Sequence, residues 1–113
     1  LELDLNQLKY AVSLAEEKKG KDIILLNLKG ISLVTDYFLL VTGNSVIQVK
    51  AIANHFEEKL PKMGIPVLRV EGLPEATWVL IDCGDLVVHV MTPETREFYN
   101  IERLWGDAEV MSL

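Results

Sequence analysis

The sequence predicts an α/β (α+β) domain, a mixed sheet of about five strands flanked by three helices. Short apolar runs of strand length (DIILLNL, YFLLVT, WVLI, LVVHVM) are separated by turn residues. Other stretches carry apolar residues at helical spacing behind capping residues. The order is helix, strand, strand, helix, three strands, helix. A helix between the second and third strands permits a right-handed parallel crossover, and a tight turn between the last two demands an antiparallel pair. Helices packed on such a sheet make one hydrophobic core. No repeat or linker divides residues 1–113, which read as a single domain.

Each element follows from local chemistry. A helix is expected over Leu5 to Lys19, capped by Asp4 with Gln7 closing a capping box. Leu5, Leu8, Val12 and Ala15 form its apolar stripe, and Gly20 its left-handed stop. Asp22 to Leu28 is the first strand, nearly continuous in apolar residues and so covered on both faces. Lys29-Gly30 turns the chain, and Tyr37 to Thr42 is a second, central strand. Ser45 caps the next helix, with Gln48 three residues on. Val49, Ile52, Ala53, Phe56 and Leu60 are its stripe, Pro61 and Gly64 close it, and His55 lies on its flank.

Pro66 to Gly72 reads as the third strand, with Arg69 and Glu71 on one face. Trp78 to Ile81 and Leu86 to Met91 are strands four and five, joined by a turn in which Gly84 supplies a positive φ. Thr92 caps a last helix that starts at Pro93, where no backbone donor is needed. Phe98, Ile101, Leu104 and Trp105 form its stripe, with Tyr99 and Arg103 on the other side. Asp107 to Leu113 is expected to fray.

Bulk composition bounds the function. The net charge is −6, with 17 acids against 11 bases, which disfavours a direct grip on a phosphate backbone and suits a basic protein partner; no direct sequence-specific binding of nucleic acid is expected. No apolar run approaches the roughly 20 residues of a membrane helix, so no membrane partner is expected. LELDLNQLKY does not read as a secretory signal or a transit peptide. A single cysteine, Cys83, makes an intrachain disulfide impossible and a reducing cytoplasm the default location.

The hairpin carries the residues of interest. With Cys83-Gly84 at the tip, Asp82 faces Asp85, Leu80 faces Val87 and Trp78 faces His89, all on one face. Ile81, Leu86, Val79 and Val88 make the other, aliphatic face. The decorated face fits either the second buried side of a central hairpin or a partly open docking surface rich in hot-spot residue types. Arg69, Glu71, Tyr99 and Arg103 would extend such a surface. Enzymatic constellations are weak: Asp36, Asp82 and Asp85 are an alternative carboxylate set for Mg²⁺. Thr42-Gly43-Asn44-Ser45 lacks the lysine of a phosphate-binding loop. The two aspartates beside Cys83 are expected to raise its pKa and keep it inert. No cofactor is expected.

Ordered blocks along the chain resemble a known family. Asp36-Tyr37-Phe38, Thr42-Gly43-Asn44-Ser45, Gln48-Val49 and Ala51-Ile52-Ala53 resemble the first signature of the ribosomal silencing factor family, also called Iojap-like. Glu71-Gly72, Trp78-Val79-Leu80-Ile81-Asp82, Gly84-Asp85, Val88-His89-Val90, Arg96, Tyr99, Leu104 and Trp105 resemble the second. Cys83 stands where that family usually has an aromatic residue, and Met91 where Phe is common. The resemblance implies a nucleotidyltransferase-like fold without its catalytic residues, no enzyme activity and a possible homodimer. It also implies binding to the large ribosomal subunit through the fourteenth protein of the bacterial large-subunit series. Such a factor blocks joining of the small subunit and represses translation when nutrients are scarce. A metal-dependent nucleotidyltransferase-like enzyme and a dimeric adaptor with another protein partner are the alternatives.

Overall fold

A computed structural model describes residues 2–113; Leu1, which begins both the N-terminal stretch and the domain read above, lies outside the described residues. The elements are α1 (Leu5–Glu17), β1 (Lys21–Asn27), β2 (Tyr37–Thr42), α2 (Val46–Lys59), β3 (Arg69–Glu71), β4 (Trp78–Asp82), β5 (Leu86–Met91), α3 (Pro93–Tyr99), α4 (Ile101–Leu104) and β6 (Glu109–Met111). They form one mixed sheet of six strands in the order β3-β4-β5-β2-β1-β6. β2 and β5 are parallel, and every other neighbouring pair is antiparallel. The crossover through α2 thus leads from β2 to a hairpin whose last strand, β5, returns beside β2.

Capping fixes the two long helices. The Asp4 carboxylate accepts from Gln7 N at 2.8 Å, and the Gln7 side chain accepts from Asp4 N at 2.9 Å. Ser45 Oγ accepts from Gln48 N at 3.1 Å. The Gln48 side chain accepts from Asn44 N and donates to the Lys18 and Lys19 carbonyls, so it ties the start of α2 to the end of α1. The expected stripe of α1 is rotated: Leu8, Ala11, Leu14 and Ala15 are buried, while Leu5 is exposed and Val12 only half-buried. The left-handed residue after α1 is Lys19, with φ 61°, not Gly20. Gly20 is required for space, because a Cβ there would strike the Val41 side chain.

The sheet has two unlike faces. On one, Leu25, Leu39, Val41, Val79, Ile81, Val88 and Val90 pack beneath α1 and α2 with Leu14, Ile52 and Phe56 in the main core. On the other, a smaller cluster joins Leu26, Leu28, Leu40 and Met91 to Ile101, Trp105 and Ala108. That second cover reaches only part of the face.

Three expectations at the chain's end and middle are corrected. The tail does not fray: Glu109–Met111 pairs with Leu25–Asn27 and completes the sheet, because the outer edge of β1 otherwise presents unpaired backbone groups. The last helix is not continuous: Asn100 at φ 44°, ψ 59° ends α3 and starts α4, a left-handed conformation that Asn tolerates. The break turns Phe98 and Leu104 outward, 80% and 76% exposed, and leaves only Ile101 of the expected stripe fully buried. β3 is shorter than Pro66 to Gly72, since Pro66 has no N–H to pair and Gly72 (φ 84°) turns the chain away.

Candidate functional site: a half-open face of the sheet

The hairpin register differs from the one expected. Asp82 pairs with Val87, Leu80 with His89 and Trp78 with Met91, so the turn runs through Cys83, Gly84 and Asp85 before Leu86 opens β5. Asp82 drives the longer loop: its Oδ1 accepts from Gly84 N at 2.9 Å, an Asx turn, while Cys83 N donates to Leu86 O at 2.8 Å. The displacement is two residues. An even displacement keeps every side chain on its face, whereas a shift of one would have reversed them all.

Trp78, Leu80, Asp82, Val87 and His89 therefore share the face opposite α1 and α2, as expected, although their partners differ. Asp85 leaves it. Its carbonyl accepts from Asp36 N and Tyr37 N, and the residue lines a separate cavity with Leu3, Gln7 and Cys83. The facing pair of carboxylates does not exist.

Trp78 Nε1 donates to His89 Nδ1 at 3.0 Å across the diagonal of the hairpin. His89 is 4% exposed. Burial, then the nearby Arg96 charge, pulls its pKa down to about 4, so the ring is neutral at pH 7. Because Nδ1 accepts, the ring proton sits on Nε2, which has no hydrogen-bond partner among the described residues. The Phe38 ring packs edge-on against His89 with centroids 4.5 Å apart, and Trp105 packs on Phe38 at 5.7 Å. On the other side Tyr99 stacks on Trp78 at 4.8 Å, and Phe98 on Tyr99 at 4.9 Å. An aromatic row crosses the face from Phe98 to Trp105.

Arg96, 8% exposed, locks the covered end: Nε donates to Glu102 at 3.1 Å and Nη1 to Thr42 Oγ1 at 3.0 Å. Thr92, expected as a side-chain cap, instead donates its hydroxyl to Thr95 Oγ1.

The uncovered end holds a recess of about 320 Å³. Leu80, Val87 and Phe38 lie on its floor, from three adjacent strands: Phe38 is paired with Val87, and Leu80 lies diagonally across from Val87. The loop residues Ser32, Val34 and Thr35 wall one side, Trp105 and His89 another, and Arg69 and Asp82 make a charged rim. Arg69 Nε is 2.8 Å from Glu71, but its Nη2 reaches Asp82 Oδ2 only at 3.5 Å. Glu71, Gly72, Trp78 and Leu80 line an adjoining, shallower hollow. Of the ten expected site residues, Trp78, Leu80, Asp82, Val87, His89, Arg69 and Glu71 are thus gathered around these depressions. Tyr99 joins through Trp78, Arg103 is exposed on α4, and Asp85 lies elsewhere. Phe38, Val34 and Trp105 were not among the expected residues. The YFLLVT alternation puts Phe38 on one face or the other, but only the β2–β5 pairing, distant in sequence, says which.

The metal alternative is not supported by the geometry: Asp36, Asp82 and Asp85 do not converge, and no group of three or more His, Cys, Asp or Glu among the described residues is placed to hold a metal ion. The Cys83 thiol is pushed up to about 12, by burial first and Asp82 second, where the sequence had suggested the aspartates alone. No helix among the described residues is long and apolar enough to cross a membrane.

Fold and recess together define a small α+β domain with one sheet face sealed by helices and the other preformed as an open, mixed surface. A family model described as "Ribosomal silencing factor during starvation" matches residues 3–113. The chain is 48% identical to the ribosomal silencing factor RsfS of Bacillus subtilis over 94% of its own length and 90% of that protein's. A crystal structure of a Chromobacterium violaceum protein superposes with a TM-score of 0.88 at 42% identity, covering 94% of this chain and 88% of that one. The mouse protein named "Mitochondrial assembly of ribosomal large subunit protein 1" is 34% identical over 83% of this chain, which spans 42% of it. The chain belongs to the ribosomal silencing factor family.

Proposed function

We propose that this protein represses translation by occupying the large ribosomal subunit where the small subunit must join. It docks on the fourteenth protein of the bacterial large-subunit series and acts as a steric block when nutrients are limiting. The observation that carries this reading is the half-open sheet face. Its floor is rigid and apolar, its rim is charged, and its aromatic side chains are already held in place. Hot-spot residue types at the centre of a surface, ringed by polar groups, are what a protein interface requires. The family membership supports a ribosomal partner, and the name of the mouse relative mentions the large subunit. The acidic net charge of −6 complements a basic ribosomal protein.

The contact residues of the proposed dock are Trp78, Leu80, Asp82, Val87, Arg69 and Glu71, with Tyr99 and Arg103 at its margin and His89 beneath it. Co-sedimentation with purified large subunits tests the reading. The protein is expected to pellet with large subunits, and its addition is expected to shift gradient profiles from joined ribosomes to free subunits. Asp82→Lys, in a folded variant, should weaken both effects. Joining that proceeds normally in the presence of saturating bound protein would end the steric model.

A further inference from the structure

We infer that the recess receives one apolar side chain of the docking protein, and that a Lys or Arg beside that side chain takes Asp82 over from Arg69. This rests on the large-subunit reading above and names what enters the site. The first ground is shape. Leu80, Val87 and Phe38 floor a space of about 320 Å³ that Val34 and Trp105 wall on two sides. That has room for a large apolar side chain together with the stem of a neighbouring residue, and a buried anchor of this kind supplies much of the affinity of an interface.

The second ground is an imbalance at the rim. Asp82 Oδ1 is engaged by Gly84 N at 2.9 Å. Among the described residues Oδ2 has only the 3.5 Å contact to Arg69, while Arg69 holds Glu71 at 2.8 Å. Asp82 therefore offers a carboxylate oxygen with little to lose, and Arg69 has a second acid to retain when displaced. With an overall charge of −6, the protein favours a cationic newcomer at that oxygen. An apolar anchor next to a basic residue satisfies floor and rim together.

The test uses purified large ribosomal subunits and the full chain. Val87→Phe fills the recess from its floor without adding charge. Because Val87 is 8% exposed, the variant is expected to fold with a lowered thermal transition, and to lose about thirtyfold in affinity at a temperature where it is fully folded, the loss typical of blocking an anchor. Asp82→Asn keeps the acceptor for Gly84 N but removes the charge. It is expected to lose about threefold in affinity at low salt, as for a partly exposed pair, and to flatten the salt dependence of binding. A photo-reactive phenylalanine analogue in place of exposed Val34, on the recess wall, should cross-link to a ribosomal protein at or beside an apolar residue flanked by Lys or Arg. Wild-type binding together with full-affinity Val87→Phe, or a cross-link to rRNA, would overturn the inference while leaving the large-subunit reading intact. Should Val87→Phe not fold, the Val34 cross-link decides alone: its absence in a bound complex counts against the recess. Failure of the wild-type protein to bind subunits at all would instead overturn the reading beneath both.

Discussion

The two faces of the sheet are built from neighbouring residues of the same strands, yet they do different work. In β4 and β5, Val79, Ile81, Val88 and Val90 lie beneath α2 and are fully buried. Their immediate neighbours Trp78, Leu80, Asp82, Val87 and His89 meet a partial cover and a recess. The helix-covered face is predominantly aliphatic, with the buried Tyr37 ring and the Cys83 thiol at its margin. The opposite face spends apolar area on an aromatic row, a buried histidine and a charged rim. Stability is concentrated on one side, and recognition is free to occupy the other.

Substitutions can break or sharpen that contrast. Phe56→Ala removes a fully buried ring from the helix-covered core. It should cost about 3–5 kcal/mol in denaturant unfolding, against about 1 kcal/mol for half-buried Leu80→Ala on the other face. Equal costs would mean that the faces are not energetically distinct.

Acid should reach the recess face selectively. His89 has a pKa of about 4 when folded, against 6.5 for an ordinary histidine. Between those values the unfolded chain binds the proton and the folded protein does not, so stability falls as pH drops from about 6.5 to 4. The loss is about 3 kcal/mol, at roughly 1.4 kcal/mol per unit. His89→Gln should remove that part of the slope in urea titrations across this range; an unchanged slope would assign it to other groups.

Gly72 borders the open face at a φ of 84°, and a Cβ there would strike the Trp78 carbonyl. Gly72→Ala should cost about 1–3 kcal/mol and disturb the Trp78 environment, seen as a shift in tryptophan emission. The smallest effect belongs to the rim. Arg69→Ala breaks two exposed contacts and should change stability by less than about 0.5 kcal/mol.

The sequence was most informative where chemistry is local. β2 and β5 fall on the runs Tyr37–Thr42 and Leu86–Met91. Asp4 and Ser45 cap as their spacing implies. The division of the hairpin into an aliphatic and a decorated face survived a wrong register because the error was even. What escaped was non-local or depended on a single dihedral. Nothing in GDAEVMSL announces an edge strand until β1 is seen to lack a neighbour. Asn100 could have continued a helix as readily as broken it, and with that one residue Phe98 and Leu104 pass from core to surface. Val34 and Phe38 enter the recess only because β2 lies beside β5, and Asp85 leaves it because β2 captures its carbonyl.

The bond from Trp78 to His89 has a consequence for kinetics. An indole anchored at its nitrogen and flanked by Tyr99 has few rotamers to surrender when a partner arrives. If the protein docks as proposed, the indole itself need not rearrange and only the exposed Arg69 side chain must swing away from Asp82, so one exponential phase should describe association at every subunit concentration. Its rate should follow the long-range attraction of unlike charges and fall with added salt. Dissociation should depend far less on ionic strength if the recess is the dock, since its floor is apolar.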